Sequence, residues 1–210
     1  MRWWWAATRN TARIVATVAW RLKGHGARNV PATGGVLLAS NHQSYVDPPA
    51  VACCLDREIH FMARRTLFEI PVLGPLIVAL NSFPIDRDSG DVKGVKTAIE
   101  RLRAGAALLM FPEGTRTRDG RIGRMKAGIR LVAERAAVPI VPVLIEGAFR
   151  VWPKGRLLPL PWGRIDVVFG PPSDPSTLSG DRLRVAVEGL KKELSRIREK
   201  EKHVQQETRA

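Results

Sequence analysis

His42 is followed five positions later by Asp47. A neutral imidazole near pH 7 can take a proton from a hydroxyl nucleophile. It does so best when a carboxylate holds its other nitrogen, fixing the tautomer and stabilising the imidazolium. An ideal helix does not place positions five apart on one face, so a turn must bring the two together. An isolated pair at this spacing is more often a capping or core histidine beside a surface aspartate. Ser44 lies between them, but no G-x-S-x-G elbow marks it as a nucleophile. A base acting directly on a substrate hydroxyl is the simpler reading.

Arg87 and Arg116 form a second pair, in Pro84-Ile85-Asp86-Arg87 and Phe111-Pro112-Glu113-Gly114-Thr115-Arg116. Each follows an apolar, strand-like run, and each can give bidentate, charge-assisted hydrogen bonds to a phosphate. Either one alone reads more often as a solvated surface arginine. Glu113 and Gly114 can shape the turn, Thr115 can add a hydroxyl donor, and Lys126 adds positive potential. The sequence has no CxxC and no His/Cys cluster, so no metal site is expected. Its two cysteines, Cys53 and Cys54, are adjacent. Neighbours rarely form an unstrained disulfide, and they read as small buried hydrophobes.

These residues sit in a chain of 210 residues with a formal net charge of +14. That length suits one domain with a short appendage, and an apolar fraction of 45% excludes wholesale disorder. The charge is uneven. Arg2, Arg9, Arg13, Arg21, Lys23 and Arg28 precede the first acidic residue, Asp47. A second excess lies between Arg101 and Arg130. Nucleic acid, an anionic membrane surface or a phosphorylated substrate would all answer to it.

The elements that must position the site alternate. Strands are expected at Val36–Ala39, Ile59–Ala63, Ser82–Ile85, Ala106–Phe111, Ile140–Ile145 and Ile165–Phe169. Helices are expected at Asp47–Asp56, Asp91–Arg103, Lys126–Ala137 and Asp181–Lys202, with two short helices across Thr66–Leu80. His25–Gly35 reads as a linker, and Pro142 argues that its strand is an edge or distorted. This order predicts an α/β fold with a mixed, mainly parallel sheet flanked by helices. In such folds ligands bind beyond the C-terminal ends of strands, where His42, Arg87 and Arg116 fall.

Four of the six tryptophans lie in the first twenty residues. On a helix over Trp3–Leu22, one face collects Trp4, Ala7, Thr11, Ile14, Val15, Val18 and Leu22. The opposite face collects Arg2, Arg9, Arg13 and Trp20. The longest uncharged run, Ile14–Trp20, is too short to span a bilayer. The pattern predicts an amphipathic helix lying in a membrane interface, with packing on the domain as the alternative. The two are compatible. The expected division is residues 1–24 for this helix, 25–180 for a catalytic domain and 181–210 for a charged C-terminal helix and tail.

Asn41-His42-Gln43-Ser44-Tyr45-Val46-Asp47-Pro48, together with Phe111 to Arg116, resembles the glycerolipid acyltransferases, in particular the 1-acyl-sn-glycerol-3-phosphate acyltransferase branch. Phe61–Phe68, in which the family more often has a lysine where Arg64 stands, resembles a further block. So do Gly74–Arg87 and Val138–Val143. Together the blocks cover about residues 25–147 in the family's order.

The resemblance implies that His42 is a general base, oriented by Asp47. It implies that Arg87, Glu113, Gly114, Thr115 and Arg116 bind the acceptor's glycerol phosphate, with Asn41, Ser44, Arg64 and Lys126 as possible additions. It implies no bound cofactor and no metal. The donor would be acyl-CoA or acyl-carrier protein, the acceptor a lysophospholipid, and the location the cytoplasmic face of a membrane, peripheral or monotopic. The oxyanion would need donors, expected among backbone amides near the His42 turn. Glycerol 3-phosphate or another lysophospholipid is an alternative acceptor. Thioesterase or lipase activity is more remote. Nucleic-acid binding is the least expected, since no zinc-finger, RNP or KH signature accompanies the charge.

Overall fold

The computed structural model describes residues 3–86 and 91–207. Among them, seven strands form one sheet: β1 (Lys23–His25), β2 (Val36–Ser40), β3 (Ile59–Arg64), β4 (Ser82–Ile85), β5 (Ala107–Met110), β6 (Ile140–Glu146) and β7 (Asp166–Phe169). Their order is β1-β7-β6-β2-β5-β3-β4, and every neighbouring pair is parallel except β6 and β7. The helices are α1 (Trp3–Trp20), α2 (Asp47–Cys53), α3 (Leu73–Ala79), α4 (Val92–Arg103), α5 (Gly128–Ala136), α6 (Ala148–Val151) and α7 (Gly180–Glu207). The expected mixed, mainly parallel α/β architecture is what forms.

β2 shows why the sequence folds this way. All five of its residues are buried, as a central strand covered on both faces requires. Successive side chains point to opposite faces. Val36 and Leu38 enter the core that also holds Ala16 of α1 and Val51 of α2. Leu37 and Ala39 enter the core built with Leu102 of α4, Ile129 of α5 and Leu183 of α7.

Two expectations are corrected. His25 does not open a linker but ends β1, which pairs with β7; Lys-Gly-His carries no apolar alternation to announce a strand. Pro142 does not lie on an edge, because β6 is paired on both sides. Its carbonyl accepts the Gly170 amide at 2.9 Å. Its ring nitrogen faces that same side, just past the end of β7, so the ladder to β2 loses no donor. The short helix α6 was not anticipated, and α7 is integral to the fold. Leu183, Val187, Leu190 and Leu194 of α7 are all core residues.

α1 packs through the face that carries Trp5, Ala12, Ala16 and Trp20. Arg9 lies on this side too, pairing with Asp56 at 3.1 Å and donating to the Leu55 carbonyl at 2.9 Å. Arg9 is therefore directed into the domain rather than away from it. The opposite stripe remains uncovered, with Ile14 and Val18 exposed to 66% and 79%.

A buried ion cluster fastens β1, β7 and α7. Asp166 is fully buried and bonds to His25 (2.8 Å), Arg164 (2.7 Å) and Arg198 (2.5 Å). Burial works to raise its pKa, but hydrogen bonds from Arg164, Arg198 and His25 prevail and hold it at about 2.

Candidate active site

β2 and β5 are neighbours in register, Ala39 beside Met110. The segments that leave their C-terminal ends therefore meet. His42, two residues past β2, stacks on Phe111, one residue past β5, with ring centroids 3.9 Å apart and 16° between planes.

The turn into α2 closes the gap to Asp47 that a helix could not. His42 Nδ1 lies 2.8 Å from Asp47 Oδ2. The same oxygen accepts the amides of Gln43 (2.6 Å) and Ser44 (2.7 Å). A carboxylate in this arrangement only accepts, so the proton resides on Nδ1 and Nε2 is the basic nitrogen. Asp47 is fully buried at the first position of α2, where a helix N-terminus favours an anion. Pro48 and Pro49 follow it in the first turn, where proline is tolerated. Asp47 Oδ1 is buried with no hydrogen-bond partner.

Glu113 holds the main chain of His42. Its Oε1 accepts the His42 amide at 2.9 Å, and its Oε2 accepts the Gly123 amide at 3.2 Å. Thr117 donates its amide to the His42 carbonyl at 2.9 Å. Burial raises the pKa of Glu113; the two amide bonds pull the other way, and the nearby Asp47 charge adds to the rise. The amides of His42, Gln43 and Ser44 are thus all engaged by carboxylates, and that of Val46 bonds to Ser44 Oγ at 3.2 Å. These four amides are therefore committed within the fold.

Arg116 reaches back over the same turn. Its guanidinium lies 3.4 Å from the centroid of the Tyr45 ring, and Tyr45 in turn packs on Trp152 at 5.2 Å. Arg116 Nη1 is buried without a hydrogen-bond partner. A half-buried guanidinium with an unsatisfied donor is suited to an anion. Gly114 takes φ 75° to close the turn begun at Phe111, and a β-carbon there would stand 3.2 Å from Lys126 Nζ. Lys126 therefore lies directly against the turn. Thr115 is exposed.

Of the remaining candidates, Asn41, Ser44 and Arg64 direct their side chains elsewhere. Asn41 extends the sheet: its side chain donates to the Ile145 carbonyl (2.9 Å) and accepts the Ile145 amide (2.8 Å), continuing the β6 ladder past the end of β2. Ser44 Oγ donates to the Trp152 carbonyl at 2.6 Å, a structural bond. Arg64 is exposed at the end of β3. Arg87 lies outside the described residues. Phe111 and Tyr45 belonged to the recognised blocks but carried no expected role, and Trp152 lay outside them. Beside Phe111 an apolar pocket of about 400 Å³ is lined by Met62, Val95, Leu109, Ile129 and Val132.

A mixed α/β sheet that carries a carboxylate-oriented histidine at its strand ends, beside an arginine with a buried, unsatisfied donor, has the parts for deprotonating a hydroxyl next to a charged group. The family model described as Acyltransferase matches residues 21–146, and the chain belongs to that family. It is similar to the 1-acyl-sn-glycerol-3-phosphate acyltransferase of Bacillus subtilis, with 27% identity across 91% of this chain and 95% of the relative. The Pseudomonas aeruginosa enzyme of that name is 31% identical across 76% of this chain and 61% of its own. The chloroplastic enzyme of that name in Arabidopsis thaliana is 30% identical across 73% of this chain, which spans 44% of its length. The crystal structure of the 1-acyl-sn-glycerophosphate acyltransferase of Thermotoga maritima superposes with a TM-score of 0.74 at 27% identity, covering 92% of this chain and 81% of that one.

Proposed function

We propose that the protein transfers a fatty acyl chain from a thioester, acyl-CoA or acyl-carrier protein, to the free hydroxyl of 1-acyl-glycerol-3-phosphate, giving phosphatidic acid. The observation that carries this reading is the His42–Asp47 pair set beside Arg116, whose Nη1 is buried and unsatisfied. A base without an anion site would suit many hydroxyls. A base with one selects a phosphorylated alcohol.

His42 Nε2 takes the hydroxyl proton as the oxygen attacks the thioester carbonyl. Asp47 stabilises the imidazolium. The tetrahedral adduct collapses: the carbon–oxygen ester bond remains, the carbon–sulfur bond breaks, and the imidazolium returns the proton to the thiolate. Arg116 holds the acceptor's phosphate so that the hydroxyl is presented as in an intramolecular reaction. The apolar pocket beside Phe111 suits hydrocarbon.

Glu113 takes a different role from the phosphate contact that the resemblance implies. Both its oxygens accept main-chain amides, and a carboxylate beside a phosphate is repulsive. It is a positioning residue that fixes the backbone of His42.

No helix among the described residues is long and apolar enough to cross a membrane. The exposed stripe of α1 supports peripheral attachment, and the cytoplasmic face is where acyl-CoA and acyl-carrier protein are found.

The test is purified protein given an acyl thioester and lysophosphatidic acid, with lipid products identified by mass. Phosphatidic acid from the native chain and none from a folded His42→Ala variant is the expected outcome. Free fatty acid with no esterified lipid would make the protein a thioesterase. Undiminished transfer by His42→Ala would remove the base.

A further inference from the structure

On the reading that α1 attaches the protein to a membrane, we infer that the loop of residues 153–163, between α6 and β7, is a second lipid-inserting element. Its partner is a bilayer surface that carries anionic lipid. The loop lies beyond residues 21–146, which the family model matches. Its tip is apolar and uncovered: Leu157, Leu158 and Trp162 are exposed to 87%, 69% and 72%. A single exposed apolar residue is ordinary. Three large ones within six positions of one loop mark an interaction site.

The fold holds this tip out. Trp152 Nε1 donates to the Arg156 carbonyl at 2.9 Å. Trp20 Nε1, at the end of α1, donates to the Leu160 carbonyl at 2.8 Å. The Leu160 amide donates to the Val151 carbonyl, also at 2.8 Å. Both ends of Leu157-Leu158-Pro159 are therefore pinned, and the leucines cannot fold back without breaking these bonds. Pro159 and Pro161 have no amide hydrogen to desolvate. A tip already fixed in its exposed state loses little conformational entropy when it is covered.

Three features select a bilayer over another protein. The first is charge. Lys154 and Arg156 precede the tip, are exposed, and form no ion pair among the described residues. No acidic residue stands between Pro153 and Ile165. Basic residues beside leucines and a tryptophan match anionic headgroups above hydrocarbon. The second is continuity. Trp152, at the foot of the loop, and Val15, on the exposed stripe of α1, line one apolar groove. The loop therefore adjoins the surface that α1 leaves uncovered. The third is the neighbouring site. Pro153 bridges to Ser44, and Ser44 Oγ donates to the Trp152 carbonyl at 2.6 Å. A loop seated among headgroups holds the catalytic turn against the surface in which a lysophospholipid lies.

The experiment uses the full chain and vesicles of phosphatidylcholine and phosphatidylglycerol in equal amounts. Amide hydrogen exchange is followed with and without vesicles, and peptides covering residues 156–163 should exchange at least about tenfold more slowly on them. A Leu157→Ser/Leu158→Ser variant keeps every charge and removes no core contact. Its Tm should stay within about 2 °C of native, while co-sedimentation with the vesicles should weaken at least about tenfold. Its kcat and KM on a short-chain, water-soluble acceptor should stay within about twofold of native, while its rate on lysophosphatidic acid held in vesicles falls at least about tenfold. Unchanged exchange of residues 156–163 on vesicles, or undiminished vesicle binding by the folded variant, would overturn the inference. So would native protein that stays in the supernatant. A native chain that is dimeric without lipid, and monomeric once the leucines are replaced, would assign the patch to a second copy instead. Exchange and sedimentation need no turnover, so protection of the loop on vesicles supports its insertion even where no phosphatidic acid forms.

Discussion

Asp47 Oδ2 accepts three hydrogen bonds, one from His42 Nδ1 and two from the following amides. An asparagine would fill the same space, but it offers no charge to an imidazolium, and its amide group would confront those amide donors. Asp47→Asn should therefore lower kcat by about 10²–10⁴, the scale of a positioned acid–base pair, while both KM values stay within a few fold. Steady-state kinetics check this, and a loss confined to KM would remove the orienting role. Glu113 and Arg116, different in role though neighbours in one turn, should separate by the same measurement. Glu113→Ala leaves the His42 amide without its acceptor, so kcat should fall at least tenfold with acceptor KM nearly unchanged; Glu113→Gln keeps one acceptor and should recover part of it. Arg116→Ala should instead raise acceptor KM at least tenfold, since hydrogen bonds to charged groups contribute about 1.5–3 kcal/mol. The dyad was legible in the sequence through the block of residues 41–48 that it stands in, since its spacing alone reads more often as a capping histidine beside a surface aspartate. The Glu113 clamp was not, because its partner is a main-chain atom that only the register of β2 against β5 supplies. Phe111 over His42 escaped for the same reason.

At the scale of elements, buried apolar runs announced most of the sheet, and β1 was missed because Lys23-Gly24-His25 carries no apolar pattern and its side-chain hold comes from distant polar partners. Its His25 is fastened by Asp166, which also binds Arg164 of the approach to β7 and Arg198 of α7. These partners come from three distant segments, so no local pattern discloses them. Their energetic consequence has a definite sign. The Asp166 carboxyl sits at about 2 in the fold, against an ordinary value near 3.9. A depressed native pKa contributes stability above the unfolded value, and that contribution is lost as pH falls through the native value. The difference corresponds to about 2 kcal/mol, present at neutral pH and lost between about pH 4 and pH 2. Asp166→Asn keeps the volume and removes the charge from two arginines, so it should lower Tm by several degrees at pH 7. The difference between native and variant should shrink as pH approaches 2. Thermal unfolding across that range is the check, and a gap that does not narrow would place the stabilisation elsewhere.

For the whole molecule, the +14 charge is not one feature. Arg9 is directed into the domain at Asp56, and Arg164 and Arg198 hold Asp166. Arg116 stacks on Tyr45 beside the dyad. What remains on the surface acts at long range and is screened by salt. Attachment to a bilayer must then combine that field with apolar insertion, and α1 supplies the second component. The helix wheel placed Ile14, Val15 and Val18 on one stripe, and the fold leaves all three exposed while burying Trp5 and Ala16 on the other side. An Ile14→Asp/Val18→Asp double variant removes no core contact, so its Tm should stay within about 2 °C of native, in keeping with the small effect of most surface substitutions. Burying those charges in the interface is unfavourable, so co-sedimentation with vesicles containing anionic lipid should fall at least tenfold. For the native protein, raising salt from about 0.1 M to 1 M shortens the screening length from roughly 10 Å to 3 Å and should weaken binding to those vesicles without abolishing it. Binding that disappears entirely in high salt would make the attraction electrostatic alone. Native protein that stays in the supernatant at low salt would leave the stripe of α1 without a role at the membrane.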